Sequence, residues 1–437
     1  MLWVVPKARL YGTEDDINDL FPGRKVVVID GTPAEREKQK ELAKDADYVI
    51  CTYDMLRREG DNLRDLKPEV VAFDECVRIK GKDSQVALSA RENFKDLPYV
   101  WYVSATPIPN SPDDLFNLMK GIDPKLFGSY TKFQQDHCNL VWNKFKGPRG
   151  GWDIKGYKNL KKTSEVVAPC FMYRNYSSPD VNIDMPPKID TTQELDMGTE
   201  QAKVYNALRL ELLDDAENMT ERSFESGMAL TNLLRLEQVS ISPRLLDPAW
   251  RGSEPKLEAT ANLIQDQFNS GSSQAAVVFS HFIGTQPIMK EYLLATGIKE
   301  SEIAEITGDH YSVGGKKVKR AQDVVNAMNS GQVKVLLGSD AAAEGLNLQR
   351  KANLLIHLDC PWRPDISSQR EFRIYRPGQR NKVLIVDMKM KNAVEDLKRS
   401  TAKGKAAAME AILSEQDPVE PPKLTYQDYL AALRQEA

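Results

Sequence analysis

The feature that most constrains this chain is a recurrence of short apolar runs. Leu2–Val5, Val26–Ile29, Tyr48–Cys51, Val70–Phe73 and Tyr99–Val103 form one series, and Ala276–Phe279, Val335–Leu337, Leu354–Leu358 and Val383–Val386 form a second. Each run is followed by a polar or helix-prone stretch. Apolar strands of this length, alternating with helical segments, predict parallel sheets covered on both faces. Residues 104–275, between the two series, have a different texture. The expectation is therefore an α/β fold with two parallel-sheet lobes rather than one sheet. A chain of 437 residues also exceeds what one core holds.

The intervening residues suggest further boundaries. Residues 124–190 are rich in aromatics, Lys and Gly, as in Trp142–Trp152, and close on Asp184-Met185-Pro186-Pro187-Lys188, a linker signal. Amphipathic helices are expected over Gln201–Asp214, Met228–Leu246 and Lys256–Phe268. An Ala- and Lys-rich helix is expected over Lys398–Leu413 and a short one over 425–435. This divides the chain into lobe one (1–123), a protrusion and linker (124–190), a helical lead-in (191–255), lobe two (256–395) and a helical tail (396–437).

Composition excludes several classes. A net charge of −4 means that any nucleic-acid binding must come from local basic surface. No apolar run approaches the ~18 residues of a membrane span, so no membrane partner is expected. The five Cys are scattered without C-x-x-C spacing and there are four His, which argues against a zinc site and a disulfide framework and for a reducing cytoplasm.

Four constellations carry chemistry, and each has a plain structural reading beside the functional one. Asp74-Glu75 ends a buried run, where a carboxylate can hold magnesium and its neighbour can orient a water; alone it is an acidic pair at a strand end. Ser104-Ala105-Thr106-Pro107 follows the next run, where hydroxyls can sense the metal site; alone it is a turn. Arg373 and Arg376, in Gln369–Gln379, are three residues apart and are expected on one helix face, suited to a γ-phosphate; alone they are a solvated basic face. Val335–Ser339 leads into Ala341–Leu348, where Gly345 permits close backbone approach to a ligand; alone this is tight packing. Taken together, in this order and spacing, the plain readings fail. One part is missing: no G-x-x-x-x-G-K-[ST] phosphate loop occurs in the 437 residues, and neither Gly314-Gly315-Lys316-Lys317 nor Gly404-Lys405 substitutes for it.

The order of motifs resembles helicase superfamily two and, within it, the Swi/Snf-like double-stranded DNA translocases. Residues 74–81 resemble that family's D-E-A-H-R-[IL]-K-N, with Cys76-Val77 in place of Ala-His, and residues 104–110 resemble its [ST]-[AG]-T-P-I-Q-N. Val4-Val5-Pro6-Lys7, Cys51-Thr52-Tyr53-Asp54, Val278–Phe282, Glu344-Gly345-Leu346-Asn347-Leu348 and the run from Gln369 to Gln379 resemble further motifs, and Pro361-Trp362-Arg363-Pro364 stands where W-N-P is usual. The resemblance covers about residues 2–390. It implies two RecA-like lobes joined by a helical and irregular insert, with ATP and Mg2+ as cofactors and double-stranded DNA as partner. It assigns catalysis to Asp74 (also the metal ligand), Glu75, Gln369, Arg373 and Arg376, and coupling to Ser104, Ala105 and Thr106. Nucleotide binding falls to Glu344, Gly345 and Asn347, and DNA contact to Lys7, Thr52, Tyr53, Ser280, His281, Ser339 and Trp362. The absent phosphate loop implies that lobe one lacks a strand, leaving an unpaired edge and an exposed apolar face, and that the missing element comes from a separate polypeptide or upstream coding sequence. Two other readings stand beside this one: a hydrolysis-deficient DNA-binding subunit, and an RNA or fork-unwinding helicase of the same superfamily.

Overall fold

The computed structural model describes residues 1–81, 83–105, 112–144, 150–172, 174, 178, 180–181, 183–218, 228–308, 310–343, 345–391, 393–413 and 425–435. The chain divides into two compact units, Met1–Val181 with Gly404–Pro421, and Asn182–Lys403 with Pro422–Ala437.

Unit 1 is built on strands β1 (Leu2–Val5), β2 (Val26–Val28), β3 (Tyr48–Thr52), β4 (Val70–Asp74) and β5 (Tyr99–Val103), all paired in parallel in the order β2-β3-β1-β4-β5. These are the five runs of the first series. Their Val and Ile content suits a pleated surface buried on both sides. Helix starts are set by side-chain caps. Thr32 and Glu35 form a capping box for Pro33–Ala43, Thr52 caps Tyr53–Arg64, and Ser84 caps Gln85–Phe94. The core holds Leu2, Val4, Val49, Val71, Phe73 and Phe94. The edge strand β5 is the exception. Among the described residues it pairs with β4 alone, and Tyr99, Trp101 and Val103 are 58, 54 and 42 % exposed. An antiparallel hairpin, β6 (Cys138–Asn143) and β7 (Gly151–Tyr157), stands where the aromatic-basic insert was expected, with Trp142 and Trp152 edge to face at 5.1 Å.

Unit 2 carries an eight-stranded sheet of β8 (Lys188–Leu195), β9 (Ala275–Phe279), β10 (Ile303–Thr307), β11 (His310–Val313), β12 (Lys316–Val318), β13 (Val335–Gly338), β14 (Ala352–His357) and β15 (Val383–Met390), in the order β12-β11-β10-β13-β9-β14-β15-β8. Only the pairings of β10, β11 and β12 with one another are antiparallel. Two apolar layers cover its faces, one containing Phe279, Val324, Met328 and Ile374, the other Leu257, Ile264, Met289 and Leu354. The lead-in is helical over Thr199–Glu217 and Met228–Ile241, as expected, but β8 precedes it and joins the sheet beside β15. Helices cover Ala393–Leu413 and Tyr426–Arg434, where they were expected over Lys398–Leu413 and 425–435.

Candidate nucleotide and nucleic-acid sites

In unit 1, β1 lies between β3 and β4, where the strand order reverses. Open α/β sheets bind ligands beyond the C-terminal ends of the strands at such a point. Asp74 ends β4 there. Glu75 follows with φ 52° and ψ 53°, one of three non-glycine residues in the left-handed region among those described. That conformation costs about 1–2 kcal/mol. It is held because Cys76, 2 % exposed, is packed at the start of the turn Cys76–Ile79. Glu75 Oε2 accepts a hydrogen bond from Ser104 Oγ at 3.4 Å. The Asp74 carbonyl accepts one from the Tyr53 hydroxyl at 2.6 Å. Burial above all, then nearby negative charge, raises the Tyr53 pKa well above its usual value, so it remains a protonated donor. The Cys76 thiol is pushed up to about 12, chiefly by burial and then by Glu75 and Asp74, and packs as an inert apolar group. Arg9 Nε lies 4.0 Å from Asp74 Oδ2 and its Nη2 pairs with Asp16 at 3.0 Å.

The structure therefore brings Asp74, Glu75 and Ser104 together, with Ala105 exposed beside them. Thr106 lies outside the described residues. No group of three or more His, Cys, Asp or Glu among the described residues could hold a metal alone. That donor set does not suit zinc. It fits Mg2+, which takes one or two carboxylates and completes its shell with water and substrate phosphate; Asp74 would be the protein ligand.

Beside this point, unit 1 encloses a cavity of about 320 Å3 lined by Lys7, Arg36, Thr52, Tyr53, Arg58 and Arg78 among others. Lys7 and Thr52, two of the residues expected to face DNA, meet there. Tyr53 lines it too, although it is 7 % exposed and its hydroxyl is engaged by the Asp74 carbonyl. Arg36, Arg58 and Arg78 share the lining with Asp30, Asp54 and Glu59, and Arg36 pairs with Glu59 and Arg58 with Asp54, each at 2.9 Å.

In unit 2, Ser280, His281 and Ser339 follow the ends of β9 and β13. Only the His281 side chain reaches solvent, at 54 % exposure. Ser280 and Ser339, also expected at the DNA, are 3 and 5 % exposed, and their hydroxyls are engaged within the fold. Ser280 Oγ donates instead to Asp359 Oδ2 at 2.8 Å, and Ser339 Oγ accepts from the Ala341 amide at 3.4 Å. Trp362 is half-buried, with Lys398 Nζ 5.4 Å from its ring centre. Gly345 has φ 74°, a backbone that glycine adopts without cost; Glu344 lies outside the described residues.

The two arginines are not on a helix. The helix Pro364–Glu371 ends before them, and Arg373 and Arg376 lie in successive turns up to Pro377 and Gly378 (φ 92°). Pro377 disfavours helical backbone at Arg376, so the turns after Glu371 do not resume a helix there. Arg373, 9 % exposed, donates to the Gln369 carbonyl at 2.9 Å and the Leu346 carbonyl at 3.5 Å, and Arg376 donates to Asn347 Oδ1. The candidate nucleotide residues Gln369, Asn347, Arg373 and Arg376 are thus gathered in one place, with Gln369 half-buried.

His357 on β14 is fully buried, and its Nδ1 is 3.4 Å from Arg370 Nη1. Arginine only donates, so Nδ1 accepts and the proton sits on Nε2. Burial lowers the His357 pKa to about 4. Between pH 4 and about 6.5 the unfolded chain takes up a proton that the folded one refuses, so this contribution is complete above pH 6.5 and lost as pH falls. The loss should reach roughly 3 kcal/mol at pH 4. His281, raised first by its hydrogen bond to Asp340, acts in the opposite sense: its contribution is full below pH 6.5 and fades as pH rises through its raised value. Chemical denaturation at pH 4.5 and 7 should show the acid loss, and His357→Gln should flatten it; an unchanged pH dependence in that variant would refute the assignment.

Comparison with known proteins gives the family. Residues 1–245 match the SNF2-related domain and residues 255–378 the helicase conserved C-terminal domain. The chain belongs to the SNF2-related family. It is similar to the ISWI chromatin-remodeling complex ATPase ISW1 of Saccharomyces cerevisiae, 26 % identical over 419 residues, covering 92 % of this chain and 35 % of that protein. It is also similar to the CHD3-type chromatin-remodeling factor PICKLE of Arabidopsis thaliana, 25 % identical over 382 residues, covering 84 % of this chain and 25 % of that one. The chain thus spans about a third or less of these relatives' length. Among solved structures it resembles the Sulfolobus solfataricus SWI2/SNF2 ATPase core in complex with dsDNA, at 23 % identity and a TM-score of 0.42, covering 97 % of this chain and 86 % of that one.

Proposed function

We propose that this chain is the body of an ATP-driven translocase on double-stranded DNA whose phosphate loop is supplied by a segment outside its 437 residues. The observation that supports this is the C-terminal edge of the unit 1 sheet. The acid side of a nucleotide site is present in Asp74, Glu75 and Ser104. Among the described residues the next position along the sheet is open, because β5 pairs with β4 alone. Parallel sheets are normally covered, so the unpaired β5 backbone, with its bare face at Tyr99, Trp101 and Val103, fits an added strand and its covering helix. A parallel strand beside β5 would end next to Ser104 and carry its loop toward the acid pair.

In this reading Asp74 holds Mg2+, directly or through water, and Glu75 orients the attacking water and takes up its proton. The Mg2+ ion, when bound, neutralises charge on the phosphate oxygens. Arg373 and Arg376 serve the γ-phosphate, and Asn347 orients Arg376. Ser104 relays the state of the acid pair. Lys7, Thr52, His281 and Trp362 face the duplex, mostly at its phosphates, which position the protein without reading sequence.

The test is ATP hydrolysis by the full chain with and without duplex DNA, alone and with the polypeptide encoded immediately upstream. We expect background rates alone and DNA-stimulated turnover on addition, blocked by Trp101→Asp at the β5 edge. DNA-stimulated turnover by the chain alone would refute the supplied loop. Duplex binding without turnover under any addition would favour the hydrolysis-deficient subunit.

A further inference from the structure

Arg370 is wholly buried and heads the largest fully buried side chains of the described residues. A buried guanidinium persists only where carboxylates and further acceptors satisfy it. Two carboxylates do so here. Asp340 Oδ1 accepts from Arg370 Nη2 at 2.6 Å and Nε at 3.1 Å, and Asp359 Oδ1 accepts from Nη1 at 3.0 Å. The Phe279 ring centre lies 5.4 Å from the guanidinium carbon.

The other oxygen of each carboxylate is directed elsewhere. Asp340 Oδ2 is 2.7 Å from His281 Nδ1. Asp359 Oδ2 accepts from the His281 backbone amide at 2.6 Å and from Ser280 Oγ at 2.8 Å. Both acids thus divide their oxygens between Arg370 and the Ser280–His281 corner. Arg370 also lies in the last turn of the helix that runs directly into Arg373 and Arg376.

We infer that Arg370 is a positioning residue: through Asp340 and Asp359 it fixes the exposed imidazole of His281 and ties it to the arginine turn. The inference rests on the reading that His281 faces duplex DNA. It makes the DNA-facing corner and the nucleotide-facing turn of unit 2 one mechanical piece, because neither can shift without breaking the shared carboxylates.

The experiment uses the full chain and the variants Arg370→Gln, Asp340→Asn and His281→Ala, singly and in pairs. The first readout is the His281 ring titration by NMR without DNA. The charged groups that act on His281 are Asp340 and Asp359, which raise its midpoint, and Lys398, which lowers it. Asp340→Asn should lower the midpoint, whereas Arg370→Gln should raise it by leaving Asp340 without its competing cation. The second readout is duplex affinity by fluorescence anisotropy without nucleotide. Either variant should weaken binding about tenfold, and adding His281→Ala should weaken it no further. A purely structural role would make the losses add. An unmoved His281 midpoint or additive losses would overturn the inference. If Arg370→Gln does not fold, Asp340→Asn still decides, since Asp340 is partly exposed. If the wild-type chain binds no duplex, the DNA reading fails while the titration still tests the clamp.

Discussion

Glu75→Gln is expected to lower DNA-stimulated ATP hydrolysis by about 10²–10⁴ in the chain supplied with a phosphate loop, with nucleotide-free duplex binding unchanged. The substitution keeps the shape and lets Ser104 Oγ still donate to a side-chain oxygen, as it does at 3.4 Å. It removes only the group that takes a proton from water. The left-handed backbone of Glu75 offers a companion variant. Glu75→Gly suits φ 52° and should stabilise the fold by about 1 kcal/mol while being as inactive as the glutamine variant. Stability rising as activity disappears is the signature of strain kept for function. Turnover of Glu75→Gln within tenfold of wild type would assign the water to another residue.

The same residues show why the acid site could be read from sequence. Asp74, Glu75 and Ser104 sit at the ends of apolar runs, and a run fixes both the strand and the edge of the sheet at which its end lies. The strands that were missed lack such runs. β8 reads Lys-Ile-Asp-Thr-Thr-Gln-Glu-Leu and has no buried residue, so its pairing with β15 leaves little hydrophobic trace. β10 is interrupted by Glu305, which accepts from Ser312 Oγ at 2.9 Å. Arg373 and Arg376 lie beyond the helix because a three-residue spacing does not show where a helix ends, here at Glu371. Arg370 had a signal, since it precedes Arg373 by the same three residues that separate Arg373 from Arg376. What no local pattern reveals is that its partners, Asp340 and Asp359, come from the ends of two other strands. Burial of Tyr53, Ser280 and Ser339 was hidden for the same reason: a polar residue after a strand reads as exposed until its long-range partner is known.

Lys256→Met is expected to lower the unfolding free energy of unit 2 by about 3–5 kcal/mol, the range for breaking one side of a buried ion pair. Lys256 is wholly buried at the start of the helix Pro255–Asn269, and its Nζ donates to Glu395 Oε1 at 2.6 Å and to the Leu358 carbonyl at 3.2 Å. Glu395 is as tightly held, accepting from Ser240 Oγ at 2.8 Å and from the Met390 amide at 3.2 Å. Methionine fills the volume of the lysine stem but leaves the Glu395 charge buried without its cation. Glu395→Gln on top of Lys256→Met should therefore recover more than half of the loss, because a neutral amide can keep its Ser240 and Met390 partners. Denaturant titration of the two variants measures both effects; a loss below 1 kcal/mol, or no recovery in the double variant, would mean that the pair is not the fastener it resembles. The consequence reaches the DNA-facing corner, since Leu358, whose carbonyl Lys256 holds, directly precedes Asp359. Loosening that carbonyl frees the carboxylate on which Ser280, His281 and Arg370 converge, so Lys256→Met should weaken duplex binding even under conditions where the unit remains folded.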